Sequence, residues 1–102
     1  MDSTNQFLKP FTTKINNSDN IEIGGCDLVE LADKYGTPLY VLDEETIRSI
    51  CRDYKEAFKS YPKVNMMYAS KALCTTATSA IVASEGFGFD VVSAGEIYTV
   101  HN

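Results

Sequence analysis

From Cys26 onward, apolar residues recur either every three to four positions, as in a helix, or in short runs, as in a buried strand. The pattern therefore predicts a series of helices and strands. The first helix is predicted to begin after Asp27, which can cap it together with Glu30, and to end at Gly36 before Pro38. Its apolar face is formed by Leu28, Leu31, Ala32 and Tyr35. Residues 2–20, rich in Ser, Thr, Asn and Asp, are predicted to be a loose or context-dependent lead.

A short apolar run and a longer amphipathic segment follow this helix. Residues 38–42 are predicted to form a buried strand, because four apolar residues are bounded by Pro38 and Asp43. Asp43 is expected to cap a second helix, which Pro62 closes. Its apolar positions recur at steps of three and four residues and are Ile47, Ile50, Cys51, Tyr54, Ala57, Phe58 and Tyr61.

The rest of the chain repeats strand and helix. The pattern predicts strands over residues 64–70 and 87–92, a helix over 75–85 that ends at Gly86, and a last helix beginning at Ser93. Strands and helices that alternate in this way are typical of parallel βαβ units, so the predicted fold class is α/β. Two or three parallel strands by themselves leave sheet edges unpaired, and we therefore expect the chain to be a fragment of a larger domain.

Composition and charge exclude several classes of partner. The formal charge of −5 offers no basic stripe for phosphates, so neither nucleic acid nor an anionic membrane surface is expected to bind. No apolar run approaches the length of a membrane span, and the first residues lack the apolar core of a signal peptide. Three cysteines without close spacing indicate reduced thiols and no metal site. The expected location is the cytoplasm.

Lys71 is the first candidate for chemistry. It follows the predicted strand 64–70 at its carboxyl end, where α/β proteins place their sites. A lysine partly withdrawn from water there can present a neutral amine, which attacks an aldehyde to form a Schiff base. The alternative is a solvated lysine at a strand end, and position by itself favours that alternative, since most lysines are exposed.

Acidic residues follow the next predicted strand. Asp90 shares a strand face with Gly88 and Val92, and it lies near Lys71 if neighbouring strands turn these faces into one barrel. An acid bonded to a loop amide is an equal alternative. Ser93 and Glu96 have the S-x-x-E spacing of a capping box, which gives both side chains a structural task without catalysis.

Three segments carry a resemblance to a known family. They are residues 36–45 (GTPLYVLDEE), 68–72 (YASKA) and 88–96 (GFDVVSAGE). Their order, spacing and residue identities resemble those of the diaminopimelate decarboxylase family. The resemblance runs from about Ile21 to the last residue. That family belongs to the alanine-racemase-like class of pyridoxal-phosphate enzymes. Ala94 stands where the family usually has glycine, a departure that a first helical turn tolerates.

The resemblance implies a fold and a function. Residues 43–102 would be the amino-terminal portion of a (β/α)8 TIM-type barrel, and residues 1–42 a lead segment associated with a second, β-rich domain. The full-length parent would be a homodimer that uses pyridoxal 5'-phosphate to decarboxylate meso-2,6-diaminopimelate to L-lysine and CO2. Lys71 would hold the cofactor as a Schiff base. Asp90 and Glu96 would be catalytic, and Asp90 would also contact the cofactor.

The resemblance leaves alternatives open. A sister decarboxylase acting on ornithine, arginine or carboxynorspermidine has the same fold, and a non-enzymatic pyridoxal-phosphate barrel is a different class of answer. The family's phosphate-binding glycine loop and its substrate-binding arginine would both lie beyond Asn102. The 102 residues by themselves are therefore expected to be inactive, because one lysine without those partners cannot hold and polarise the cofactor.

Overall fold

The computed structural model describes residues 8–102, and its elements fall into two compact units divided between Thr46 and Ile47. The first unit contains β1 (Lys14–Ile15), β2 (Ile21–Ile23), β3 (Cys26–Asp27) and α1 (Leu28–Tyr35), and α2 (Glu44–Ala57) begins at its end. The second contains the rest of α2, β4 (Met67–Ala69), a 3-10 turn (Ser70–Ala72), α3 (Thr76–Ser84), β5 (Gly88–Asp90) and α4 (Ala94–His101). Residues 2–7 of the predicted lead lie outside the described residues.

The lead is more ordered than the sequence pattern predicts. Strands β1, β2 and β3 form an antiparallel sheet in that order, and β1 begins inside the segment expected to be loose. Gly24 and Gly25 form the two-residue turn between β2 and β3, with φ of 58° and 81°. A turn with both central residues at positive φ favours glycine strongly, and it matches the twist of a hairpin. The Gly-Gly pair between Ile23 and Cys26 is the signal that the periodicity argument missed.

Asp27 caps α1 as predicted. Its Oδ1 atom accepts hydrogen bonds from the backbone nitrogens of Val29 at 2.8 Å and Glu30 at 3.3 Å. Its Oδ2 atom accepts from the side-chain amides of Asn20 at 3.0 Å and Asn16 at 2.7 Å. These amides hold the pKa of Asp27 below its ordinary value, with Asn20 contributing most. One carboxylate thus joins the helix start to the loop between β1 and β2.

The segment after α1 differs from the prediction. The helix ends at Gly36, as expected, with φ of 83° at that residue. The buried strand expected at residues 38–42 is wrong, because these residues form no strand. Leu39 is 40% exposed, Tyr40 98% and Leu42 58%. No strand among the described residues pairs with this run, so its apolar side chains have no sheet face to cover.

Asp43 caps α2 as predicted. It is buried, and its Oδ2 atom accepts from the backbone nitrogen of Thr46 at 3.2 Å and from Oγ1 of Thr12 at 2.8 Å. Burial acts to raise the pKa of Asp43, but the hydrogen bonds from Thr46 and Thr12 outweigh it and lower that pKa. The helix ends at Ala57, four residues before the predicted limit at Tyr61, and residues 58–60 form a turn. Pro62 disfavours helical backbone at Tyr61, the residue before it.

The predicted parallel βαβ unit is confirmed in the second unit of the structure. Strands β4 and β5 pair in parallel, with α3 between them in sequence and with Tyr68 opposite Phe89 in the register. Their rings meet edge to face with centroids 6.2 Å apart. Each strand is three residues long and so shorter than predicted, because the ladder extends only where both backbones lie side by side.

Glu85 ties α2 to the end of α3. Its carboxylate accepts from Nη1 of Arg48 at 2.9 Å, and from Nε and Nη2 of Arg52 at 3.0 and 2.9 Å. Its backbone oxygen accepts from Nζ of Lys55 at 2.6 Å. The bonds from Arg52 and then Arg48 lower the pKa of Glu85. Residues one turn apart on α2 thus fix the point from which the chain turns into β5.

Gly86 lies just after the helix cap Glu85, with φ of 87°, and its nitrogen donates to the oxygen of Ala83 at 2.9 Å. In the full-length protein we expect Gly86→Ala to lower the free energy of unfolding by about 1–2 kcal/mol, the cost of left-handed backbone for a residue with a Cβ. Gly95→Ala is the matched control, since φ there is not positive and the nearest atom to an added Cβ is 3.9 Å away. Urea denaturation of both variants measures the difference, and equal midpoints would contradict this account.

Few apolar side chains are buried. Among the described residues, the buried hydrophobic side chains are Cys51 at 6% exposure and Val82 at 2%. Large apolar residues elsewhere in the second unit remain accessible, among them Met67 at 59% and Ile97 at 57%. Burial of apolar area is the main favourable term in folding, so little of that term is realised within these residues.

The 102-residue chain by itself is therefore expected to melt without a sharp transition on heating. Calorimetry should show a broad, low-enthalpy profile, and far-ultraviolet circular dichroism should decline gradually over the same range. A sharp two-state transition, with the calorimetric enthalpy equal to the van't Hoff enthalpy, would show that the core is larger than the buried side chains indicate.

Candidate functional site

Lys71 lies on a tight turn at the carboxyl end of β4. The strand stops at Ala69, and Ser70 to Ala72 form the 3-10 turn, so the alternation of strand faces does not extend to Lys71. The Lys71 side chain is exposed, whereas the neighbouring Ser70 is fully buried. The turn is therefore held in place by the buried Ser70, and the next residue, Lys71, faces solvent.

Two hydroxyl groups hold this turn. Oη of Tyr68, in β4, donates to the backbone oxygen of Leu73, just after the turn, at 2.9 Å. Oγ of Ser70 lies 3.0 Å from the backbone oxygen of Asp90 and 2.8 Å from Oε1 of Glu96. A hydroxyl has one proton, so Ser70 shares it between these two acceptors. Both bonds restrict the backbone on either side of Lys71.

Asp90 ends β5 at the same edge of the sheet. Asp90 lies opposite Ala69 in the parallel register and is exposed. Ala69 is two residues before Lys71 in the sequence. A Cβ atom added to Gly88 would stand 2.5 Å from Sδ of Met67, which places those two positions on one face. Strand alternation then puts Asp90 and Ala69 on that same face. The structure thus brings Asp90 to the end of the strand pair that carries Lys71.

Glu96 takes part in the cap of α4 and also reaches the turn that follows β4. The predicted cap at Ser93 is confirmed, because Oγ of Ser93 accepts from the backbone nitrogen of Glu96 at 3.2 Å. The same hydroxyl donates to Oε2 of Glu96 at 2.8 Å, while Ser70 donates to Oε1. The bonds from Ser70 and then Ser93 lower the pKa of Glu96, with a further contribution from the charge of Lys71. Glu96 is therefore an anion at neutral pH.

Sequence reasoning missed Ser70 as a member of this group. Alternation along the predicted strand 64–70 puts Ser70 on the face of Val64, Met66 and Tyr68, and no role was predicted for it. A hydroxyl at the end of an otherwise apolar face requires a buried partner, and that requirement was the available signal. The partner itself comes from α4 and was not visible in the sequence pattern.

The residues at this edge fit an aldehyde cofactor. An accessible primary amine can bond a carbonyl carbon, and carboxylates beside it can balance its charge. A cavity of about 380 Å³ in the second unit lies at the opposite ends of the strands, with Met66, Gly86 and Gly88 in its lining. Neither Lys71 nor Glu96 contributes to it, so the cavity and the candidate site are distinct.

Other kinds of site receive no support from residues 8–102. No helix in this part of the chain is long and apolar enough to cross a membrane. Within the same residues, no group of three or more His, Cys, Asp or Glu side chains is arranged to hold a metal ion. Cys26, Cys51 and Cys74 are free thiols, and burial raises the pKa of Cys51.

Comparison with known proteins places the chain in a family. It belongs to the pyridoxal-dependent decarboxylases, since the sequence model of their pyridoxal binding domain matches residues 45–102. Relatives with a more specific name cover nearly all of it. Diaminopimelate decarboxylase of Synechocystis sp. is 48% identical over 99 residues, which are 95% of this chain and 21% of that protein. The enzyme of that name from Bacillus methanolicus is 49% identical over 89 residues, which are 86% of this chain and 21% of that protein.

A solved structure agrees. The crystal structure of diaminopimelate decarboxylase from M. jannaschi superposes with a TM-score of 0.83 at 41% identity, and the match covers 93% of this chain and 23% of that one. The chain thus spans about a fifth of the length of the relatives it matches. The resemblance seen in the three sequence segments is confirmed, and so is the pyridoxal-phosphate cofactor. The chain is an α/β portion of the alanine-racemase-like fold.

Proposed function

We propose that this chain carries the cofactor lysine of an enzyme that decarboxylates meso-2,6-diaminopimelate to L-lysine and CO2. The observation that carries the proposal is the position of Lys71, on a turn at the carboxyl end of a parallel strand pair, with Asp90 and Glu96 at the same edge. The names of its relatives supply the substrate.

The proposed roles follow from the chemistry of each side chain. Pyridoxal phosphate, when bound, supplies an electron sink for the bond that breaks when the carboxylate of the substrate leaves as CO2. The amine of Lys71 would hold the cofactor at its aldehyde carbon, and its Nζ would serve as a proton carrier. Asp90 orients this amine and the cofactor from the end of β5. The Glu96 carboxylate balances the positive charge at Nζ.

The same proposal extends to architecture. Strands β4 and β5 would be the first two strands of a (β/α)8 barrel that residues 43–102 begin, and residues 1–42 would be a lead segment associated with a β-rich domain. The parallel register and the intervening helix α3 support the barrel part. We further propose a homodimer in the cytoplasm, and light scattering of the full-length protein tests the dimer by its molar mass.

Borohydride reduction of the full-length protein with pyridoxal phosphate tests the central assignment. Peptide mapping should find the reduced cofactor on Lys71, and CO2 should be released from meso-diaminopimelate but not from ornithine or arginine. Label on Lys71 with CO2 from ornithine or arginine would identify a sister decarboxylase. Label without any CO2 release would identify a non-enzymatic carrier, and label on a different lysine would overturn the proposed site.

A further inference from the structure

Ser70 is the one fully buried side chain in the group around Lys71, with 0% exposure. Its hydroxyl bonds outside its own turn, to the backbone oxygen of Asp90 in β5 and to the carboxylate of Glu96 in α4. A buried hydroxyl that links three elements at a candidate site has a task beyond filling space.

We propose that Ser70 is a positioning residue, whose hydroxyl fixes the Glu96 carboxylate at the end of β5 beside the turn that carries Lys71. The inference rests on the proposed function, because it assigns a residue that acts on that site through Glu96. Ser70 itself contacts neither substrate nor cofactor in this account.

The geometry holds the carboxylate from two sides. Ser70 donates to Oε1 and Ser93 donates to Oε2, each at 2.8 Å. Two donors on different oxygens fix both the place and the plane of a carboxylate, whereas one donor leaves it free to rotate. The backbone oxygen of Asp90, 3.0 Å from Oγ of Ser70, restricts the hydroxyl in turn. Loss of Ser70 therefore leaves Glu96 held only from its own helix cap.

The lowered pKa of Glu96 also supports a positioning role for Ser70. The hydrogen bond from Ser70 is the largest cause that lowers the pKa of Glu96, ahead of Ser93, and Lys71 is the charged group that adds to it. The ionised carboxylate of Glu96 and the charge of Lys71 attract each other. By fixing the carboxylate, Ser70 fixes the distance over which this attraction acts. A carboxylate free to rotate into solvent would be screened and would act more weakly.

The test is a titration of Glu96 in the cofactor-free, full-length protein by carboxyl ¹³C NMR, with Glu96→Gln used to assign the signal. In Ser70→Ala the pKa of Glu96 is expected to rise toward the ordinary glutamate value of about 4.3. Tyr68→Phe is the matched control, because it removes the other hydroxyl of the same turn and leaves the bonds of Glu96 in place. That variant should titrate like the unmodified protein.

Kinetics of the cofactor-loaded enzyme give a second readout. Ser70→Ala should lower kcat about tenfold with little change in KM, the effect of losing one hydrogen bond to a charged group. A lower kcat with an unchanged pKa of Glu96 would show a merely structural role and overturn the proposal. Ser70→Cys retains a weak donor and should give an intermediate pKa, which serves as the test if the alanine variant does not fold.

The two proposals fail in different ways. Absence of borohydride label on Lys71 in the unmodified protein removes the proposed function, whatever Glu96 does. Label on Lys71, together with a pKa of Glu96 that is the same with and without the Ser70 hydroxyl, leaves the function in place and removes the positioning role.

Discussion

Lys71→Ala in the full-length protein is expected to abolish the long-wavelength absorbance of bound cofactor and to lower turnover on the order of a thousandfold or more. In the proposed function the amine is the group that bonds the aldehyde carbon, and alanine at that position has no nucleophile. Its side chain is exposed on the 3-10 turn, so the fold should tolerate the change. Absorbance spectroscopy and CO2 release measure the two effects.

Lys63→Ala is the control for this experiment. Lys63 is also exposed, and it lies before β4 at the other end of the strand. The control should retain the absorbance and the activity of the unmodified protein. If Lys71→Ala retained the absorbance, a different lysine would hold the cofactor.

Asp90→Asn is expected to slow turnover by about 100-fold, at the lower edge of what a positioned acid or base contributes. Asparagine has nearly the same shape but no charge, so it would lack the charge by which Asp90, in the proposed function, orients the amine. Because Asp90 is exposed, its replacement should change the free energy of unfolding by less than about 0.5 kcal/mol. Steady-state kinetics and urea denaturation of one preparation separate the two quantities.

Asp53→Asn provides the comparison, since Asp53 is exposed on α2 and lies away from the carboxyl ends of the strands. It should leave both turnover and stability unchanged. Turnover that is equally fast with and without the Asp90 charge would remove Asp90 from the site.

Local signals predicted much of the fold. Asp27, Asp43 and Ser93 each cap a helix as the sequence indicated, because a cap depends on residues two or three positions away. The order of strand, helix and strand around α3 also followed from the pattern. The position of Lys71 after the first of these strands placed it at the edge where the acidic residues lie.

The features that the sequence did not predict depend on partner residues that are distant in the sequence. Residues 38–42 are apolar enough for a buried strand, but an apolar run does not specify which strand it pairs with. The same limit hid the role of Ser70, whose bond to Glu96 joins residues 26 positions apart. Periodicity describes one element at a time and cannot show that a hydroxyl from one element meets a carboxylate from another.

The candidate site residues on either side of α3 are close together in the sequence, which affects how early in folding they can meet. Lys71, Asp90 and Glu96 all lie between the end of β4 and the first turn of α4, and the bond between Ser70 and Glu96 closes a loop of 26 residues. Contacts of low sequence separation form quickly, because little loop entropy is lost before they close. In a chain made from its amino end, the lysine can meet its acidic neighbours soon after α4 emerges. The arrangement of these charges then precedes the assembly of whatever surrounds them.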